Sequence, residues 1–143
     1  MCTSGYALAM HFSLVDRVIE NDGQRILTVK QVSRAEEYLQ DHFADFPVLP
    51  GVLMLECLVQ AARALLGPEH ARWVLGGVRA LKYGRFVRPG EALRVEVVRG
   101  AAEGDTIEFK GEGRVVAAGQ PFDDTAPVAV SGKFTLRPTR LGV

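Results

Sequence analysis

Gly51-Val52-Leu53-Met54-Leu55-Glu56-Cys57-Leu58-Val59-Gln60-Ala61-Ala62-Arg63-Ala64-Leu65-Leu66 is the stretch on which the fold turns. It holds no helix breaker, Pro50 stands where a proline opens a helix, and Gly67-Pro68 ends it. Apolar residues occupy nearly every side of this helix, which predicts burial by the rest of the domain. Beyond it the apolar period changes to two. Leu93, Val95 and Val97 alternate with Arg94 and Glu96, and Ile107 and Phe109 alternate with Thr106, Glu108 and Lys110. Val128, Val130, Phe134 and Leu136 share one face, opposite Ser131, Lys133, Thr135 and Arg137. Such patterns predict an antiparallel sheet that covers a core on one side only. Pro89-Gly90 and Glu103-Gly104-Asp105 supply turns, and Gln120 to Pro127 forms a longer irregular loop.

Upstream, Phe12 to Glu20 and Arg25 to Val32 flank Asn21-Asp22-Gly23-Gln24, a strong hairpin signal. Ser33 caps a short helix through Leu39, with Glu36 completing a capping box, and Asp41 to Pro50 is a loop. The expected architecture is α+β, an antiparallel sheet wrapped around one long central helix.

At 143 residues the chain is expected to be a single domain spanning 1–143. Its 17 Lys+Arg balance 17 Asp+Glu, and this absence of basic surplus argues against nucleic-acid binding. Pro47, Pro50 and Glu56 interrupt the best candidate for a membrane span, so no membrane association is expected. Met1 to Met10 carry no basic segment of the kind that opens a signal peptide. The two cysteines, Cys2 and Cys57, suit a reducing compartment, which points to the cytoplasm.

Most chemistry-bearing motifs are absent: no phosphate-binding glycine loop, no Cys-x-x-Cys, no His-Glu-x-x-His and no Gly-x-Ser-x-Gly. His11, His42 and His70 are too dispersed for a local metal site, so neither metal nor cofactor is expected. Glu56 is the informative residue. A carboxylate within an apolar helix is costly unless it has a use or a partner. Either it serves chemistry, or it forms a narrow polar stripe with Gln60 and Arg63, spaced four and three apart. Spacing alone leaves both readings open.

The loop entering this helix reads His42-Phe43-Ala44-Asp45-Phe46-Pro47-Val48-Leu49-Pro50-Gly51-Val52-Leu53. His42-Phe43, Pro47-Val48-Leu49-Pro50-Gly51-Val52-Leu53, and Glu56 fourteen positions after the histidine together resemble the signature of bacterial β-hydroxyacyl-[acyl carrier protein] dehydratases. Gln60-Ala61-Ala62, Leu14 to Val18, and Lys82 to Glu91 with its Pro89-Gly90-Glu91 extend the resemblance over most of the chain. It departs at Ala44-Asp45-Phe46, where the family commonly reads Pro-Gly-His.

The resemblance implies a hot-dog fold and a hydro-lyase acting on 3-hydroxyacyl thioesters, without cofactor. His42 suits the base that takes the C2 proton, because imidazole titrates near neutral pH. Glu56 would be the acid for the departing hydroxyl. Gly51 and Val52 would offer backbone N–H groups to the charge on the thioester carbonyl, with Gln60 as a further oxyanion or substrate-binding residue. It further implies an acyl carrier protein or coenzyme A thioester as substrate. A homodimer that pairs His42 of one subunit with Glu56 of the other also follows, assembling in some relatives as a trimer of dimers. Arg72 to Arg88 holds no acidic residue, and Arg79, Lys82, Arg85 and Arg88 are candidates for docking an acidic carrier. A non-catalytic acyl-binding module and a thioesterase on the same fold are the alternatives.

Overall fold

A computed structural model of the chain describes residues 13–33 and 48–139. The short helix expected from Ser33 to Leu39 and the loop bearing His42 lie outside the described residues, as does Phe12.

Strands β1 (Arg17–Asn21) and β2 (Arg25–Gln31) form the expected hairpin. Asn21 and Asp22 close its turn by accepting backbone N–H groups from Gly23, Gln24 and Arg25 at 2.8–3.0 Å. Gly23 takes φ 88°, a left-handed conformation that favours glycine. Helix α1 (Gly51–Leu66) has the bounds its breakers foretell. A single 3-10 turn at Pro68–His70 leads into β3 (Val74–Tyr83), followed by β4 (Ala92–Glu103), β5 (Thr106–Val116) and β6 (Val128–Arg137). The strand order is β1-β2-β4-β5-β6-β3, and every neighbouring pair is antiparallel.

The sheet curls around α1. Met54, Cys57, Leu58, Val59, Ala61, Ala62 and Leu65 are the helix residues buried in this contact. They share one core with Leu93, Val95, Val97, Phe109, Phe134 and Leu136 from the strands. Close approach of helix and sheet depends on Gly111, where a Cβ would stand 3.1 Å from both Leu58 and Phe134.

Two expectations need correction. Helix α1 is buried along one side rather than all round, and Val52 stays 70% exposed. A single sheet covers a single side. Nor is the sheet bare on its outer face, since Leu27, Val29 and Arg94 are all buried. The Gln120–Pro127 loop reaches that face. The Arg94 guanidinium lies 5.6 Å from the Phe122 ring centroid, and Arg114 donates to the Ala126 carbonyl at 2.6 Å.

Strand β3 is an addition rather than a correction. The sequence reading marks no strand over most of its length, because it is hidden from periodicity. Gly76-Gly77 and two register shifts break its alternation, and most of its residues are exposed. It forms one edge of the sheet, so its outer side has no neighbouring strand within the described residues.

Candidate active site

Glu56 lies on the open side of α1, one turn beyond its entry. Its side chain is 39% exposed, so this chain by itself does not desolvate it. The polar stripe expected from spacing forms. Gln60 donates through Nε2 to Glu56 Oε2 at 3.1 Å, and Arg63 Nη2 stands 3.9 Å from the same oxygen. Glu56 Oε1 meets no partner among the described residues.

Each of these two partners is itself anchored. Gln60 Oε1 accepts the Leu14 backbone N–H at 2.7 Å, which fixes the amide so that its NH2 group faces Glu56. Arg63 donates through Nε to the Trp73 carbonyl at 2.9 Å, tying the helix to the entry of β3. Both ends of Gln60 therefore engage protein partners, and its geometry is that of a residue orienting Glu56. Arg63 was legible only as a stripe member; its link to Trp73 crosses from helix to strand and leaves no mark in local sequence.

Gly51 and Val52 open the helix. Pro50 precedes them in extended conformation and offers no side-chain cap, and the first turn contains no acidic residue. Leu53 and Met54 both donate to the Pro50 carbonyl, at 3.0 and 3.1 Å. Among the described residues the Gly51 and Val52 N–H groups meet no acceptor. They are the orphan donors of a helix start, at the positive end of its dipole. Tyr83, which the sequence reading does not single out, donates its hydroxyl to the Gly51 carbonyl at 3.0 Å.

The four basic residues from the Arg72–Arg88 stretch do not behave alike. All four are exposed, and Arg79 is in addition paired with Glu108. Among the described residues no three His, Cys, Asp or Glu side chains are grouped to hold a metal ion. No helix among them is long and apolar enough to cross a membrane.

Comparison with known proteins bears on this geometry. The sequence profile for ApeI dehydratase, of the ApeI-like family, matches residues 18–120. A 3-hydroxyacyl-[acyl-carrier-protein] dehydratase FabZ of Bacillus cereus is 41% identical over 115 residues, 74% of each chain. The FabZ of Chloroflexus aggregans is 48% identical over 91 residues, 60% of this chain and 63% of that one. Among solved structures, the dehydratase heterocomplex ApeI:P from Xenorhabdus doucetiae superposes with a TM-score of 0.65 at 17% identity. That match covers 89% of this chain and 99% of the other. A hypothetical thioesterase from Streptococcus pneumoniae, solved with coenzyme A, gives a TM-score of 0.62 at 10% identity, covering 86% and 84%. At such identities the two structures speak for the fold alone, which is the hot-dog fold. The sequence relatives speak for the family: the chain belongs to the FabZ-like dehydratases and is a hot-dog hydro-lyase.

Proposed function

We propose that this dehydratase removes water from 3-hydroxyacyl thioesters borne on acyl carrier protein or coenzyme A, in the building of acyl chains in the cytoplasm. His42 takes a C2 proton, and the electron pair left behind moves toward the thioester carbonyl. The charge on that oxygen is met by the Gly51 and Val52 N–H groups. The pair then returns to form the C2–C3 double bond as the C3–O bond breaks, and Glu56 gives the departing hydroxyl its proton. Water and a trans-2-enoyl thioester leave, so the elimination balances with one base and one acid.

The observation that carries this reading is the setting of Glu56. An anchored amide donor and an anchored guanidinium converge on one of its oxygens, and the other meets no partner among the described residues, on the exposed side of the helix. A side chain so oriented is preorganised for a task outside its own core. A second subunit over that side would desolvate it and bring His42 to Glu56 of the partner subunit. Support for such a partner comes from the apolar side chains exposed around the helix entry. Val52 is 70%, Tyr83 51% and Phe86 53% exposed, and the neighbouring β3 edge meets no further strand among the described residues. Lys82 and Arg85, exposed and near that edge, are the cations best placed to meet an acidic carrier.

The test is turnover of a 3-hydroxyacyl thioester without added metal or nucleotide. His42→Ala is expected to abolish it while the melting temperature holds. Undiminished activity in that variant would dismiss His42 as base. Binding of the thioester with no turnover by the wild type would mark an acyl-binding module instead.

A further inference from the structure

We propose that Tyr83 is a positioning residue that sets the first turn of α1, and with it the two backbone donors at Gly51 and Val52. The inference rests on the dehydratase reading above for what those donors do, and on geometry for how they are held.

The helix start lacks the usual means of fixation. Its cap is a proline without a capping side chain, and its first turn carries no acidic residue to complement the dipole. Tyr83 supplies the missing restraint from another element. Its hydroxyl donates to the Gly51 carbonyl at 3.0 Å, a bond that a carbonyl with two lone pairs can accept beside its helical partner. Its ring lies over the same residue: a Cβ on Gly51 would stand 3.1 Å from Cε1 and Cζ. Glycine at 51 thus leaves room for the ring, and the ring in turn covers the glycine.

The chain around Tyr83 is tied to β6 by pairing and hydrogen bonds. It is the last residue of β3 and pairs with Val130 of β6. The next two residues, Gly84 and Arg85, donate to the Ala129 and Val128 carbonyls at 2.8 and 2.9 Å. A Cβ on Gly84 would stand 2.4 Å from the Val128 carbonyl oxygen, so the chain can leave the strand along this path only with glycine there. Sheet, tyrosine and helix start form one mechanical unit. Donors that must meet a developing charge gain most when they need not reorganise at the moment of reaction.

Tyr83→Phe separates this role from packing, because it keeps the ring and removes only the hydroxyl. The expected result is a fall in kcat of about fivefold, the scale of one neutral hydrogen bond, with KM and melting temperature nearly unchanged. In parallel, the Gly51 and Val52 amide signals should shift in NMR spectra of the same variant and exchange faster with deuterium. This second readout needs no turnover, so an inactive wild type would count against the dehydratase reading and leave the positioning role to the amides. Unchanged kcat with unmoved amides would overturn the proposal. So would a loss confined to KM, which would mean that Tyr83 meets substrate rather than the helix.

Discussion

Glu56 concentrates the residue-scale question, because the same side chain is both a stripe member and the proposed acid. Its neighbours do not make it a strong structural element. At 39% side-chain exposure and 3.9 Å from Arg63, its ion pair belongs with those that contribute about 0–1 kcal/mol. Glu56→Gln keeps the shape and an acceptor for the Gln60 amide but cannot deliver a proton. Turnover is expected to fall by about 10²–10⁴-fold, the range for one acid–base group, while the melting temperature moves little. Kinetics and thermal melts on the same preparation check this. A marked loss of stability with intact turnover would return Glu56 to a purely structural stripe with Gln60 and Arg63.

Among the elements, the β1–β2 hairpin carries a pH dependence of its own. The Asp22 carboxyl is held below its ordinary value of 3.8, chiefly by the backbone N–H groups of Gln24 and Arg25, which donate to its charged form. A depressed folded-state value means that this stabilisation is present above the unfolded value. It is lost as pH falls through the lower folded one. Asp22→Asn should therefore melt below the wild type at neutral pH, with the gap closing once acid has protonated the aspartate. Melting temperatures of both proteins across the acid range test the sign. A gap that widens on acidification would refute it. The turn at Thr125 works alike: its hydroxyl and N–H both donate to Asp123, whose carboxyl is also lowered.

For the whole molecule, the end of the edge strand β3 meets the entry of α1, where Tyr83 donates to the Gly51 carbonyl. Val52, Tyr83 and Phe86 are 70%, 51% and 53% exposed, and β3 is an edge strand with no strand on its outer side among the described residues. A dimer at micromolar concentration is the expected outcome of light scattering or sedimentation. A stable, active monomer would rule out a site shared between subunits, since His42 and Glu56 would then have to meet within one chain.

What the sequence determined by itself was whatever depends on local chemistry. The helix bounds followed from Pro50 and Gly67-Pro68, because a missing N–H and a ring clash act on the adjacent turn. The first hairpin followed from Asp22-Gly23, and the faces of β4, β5 and β6 from alternation over a shared core. The Glu56, Gln60 and Arg63 stripe followed from helical spacing, and the family from a motif within one short segment. Strand β3 escaped because its glycines and bulges erase the period, and because an edge strand with exposed side chains has no buried face to announce it. Only the tertiary structure decided that Gln60 faces Glu56, since Leu14, 46 residues away, occupies its other end. It alone set Trp73 against Arg63, Phe122 over Arg94, and Tyr83 on Gly51. Those contacts join residues that share no period and no segment. Chain folding brings them together, and the energy that holds them depends on distances that no local pattern encodes.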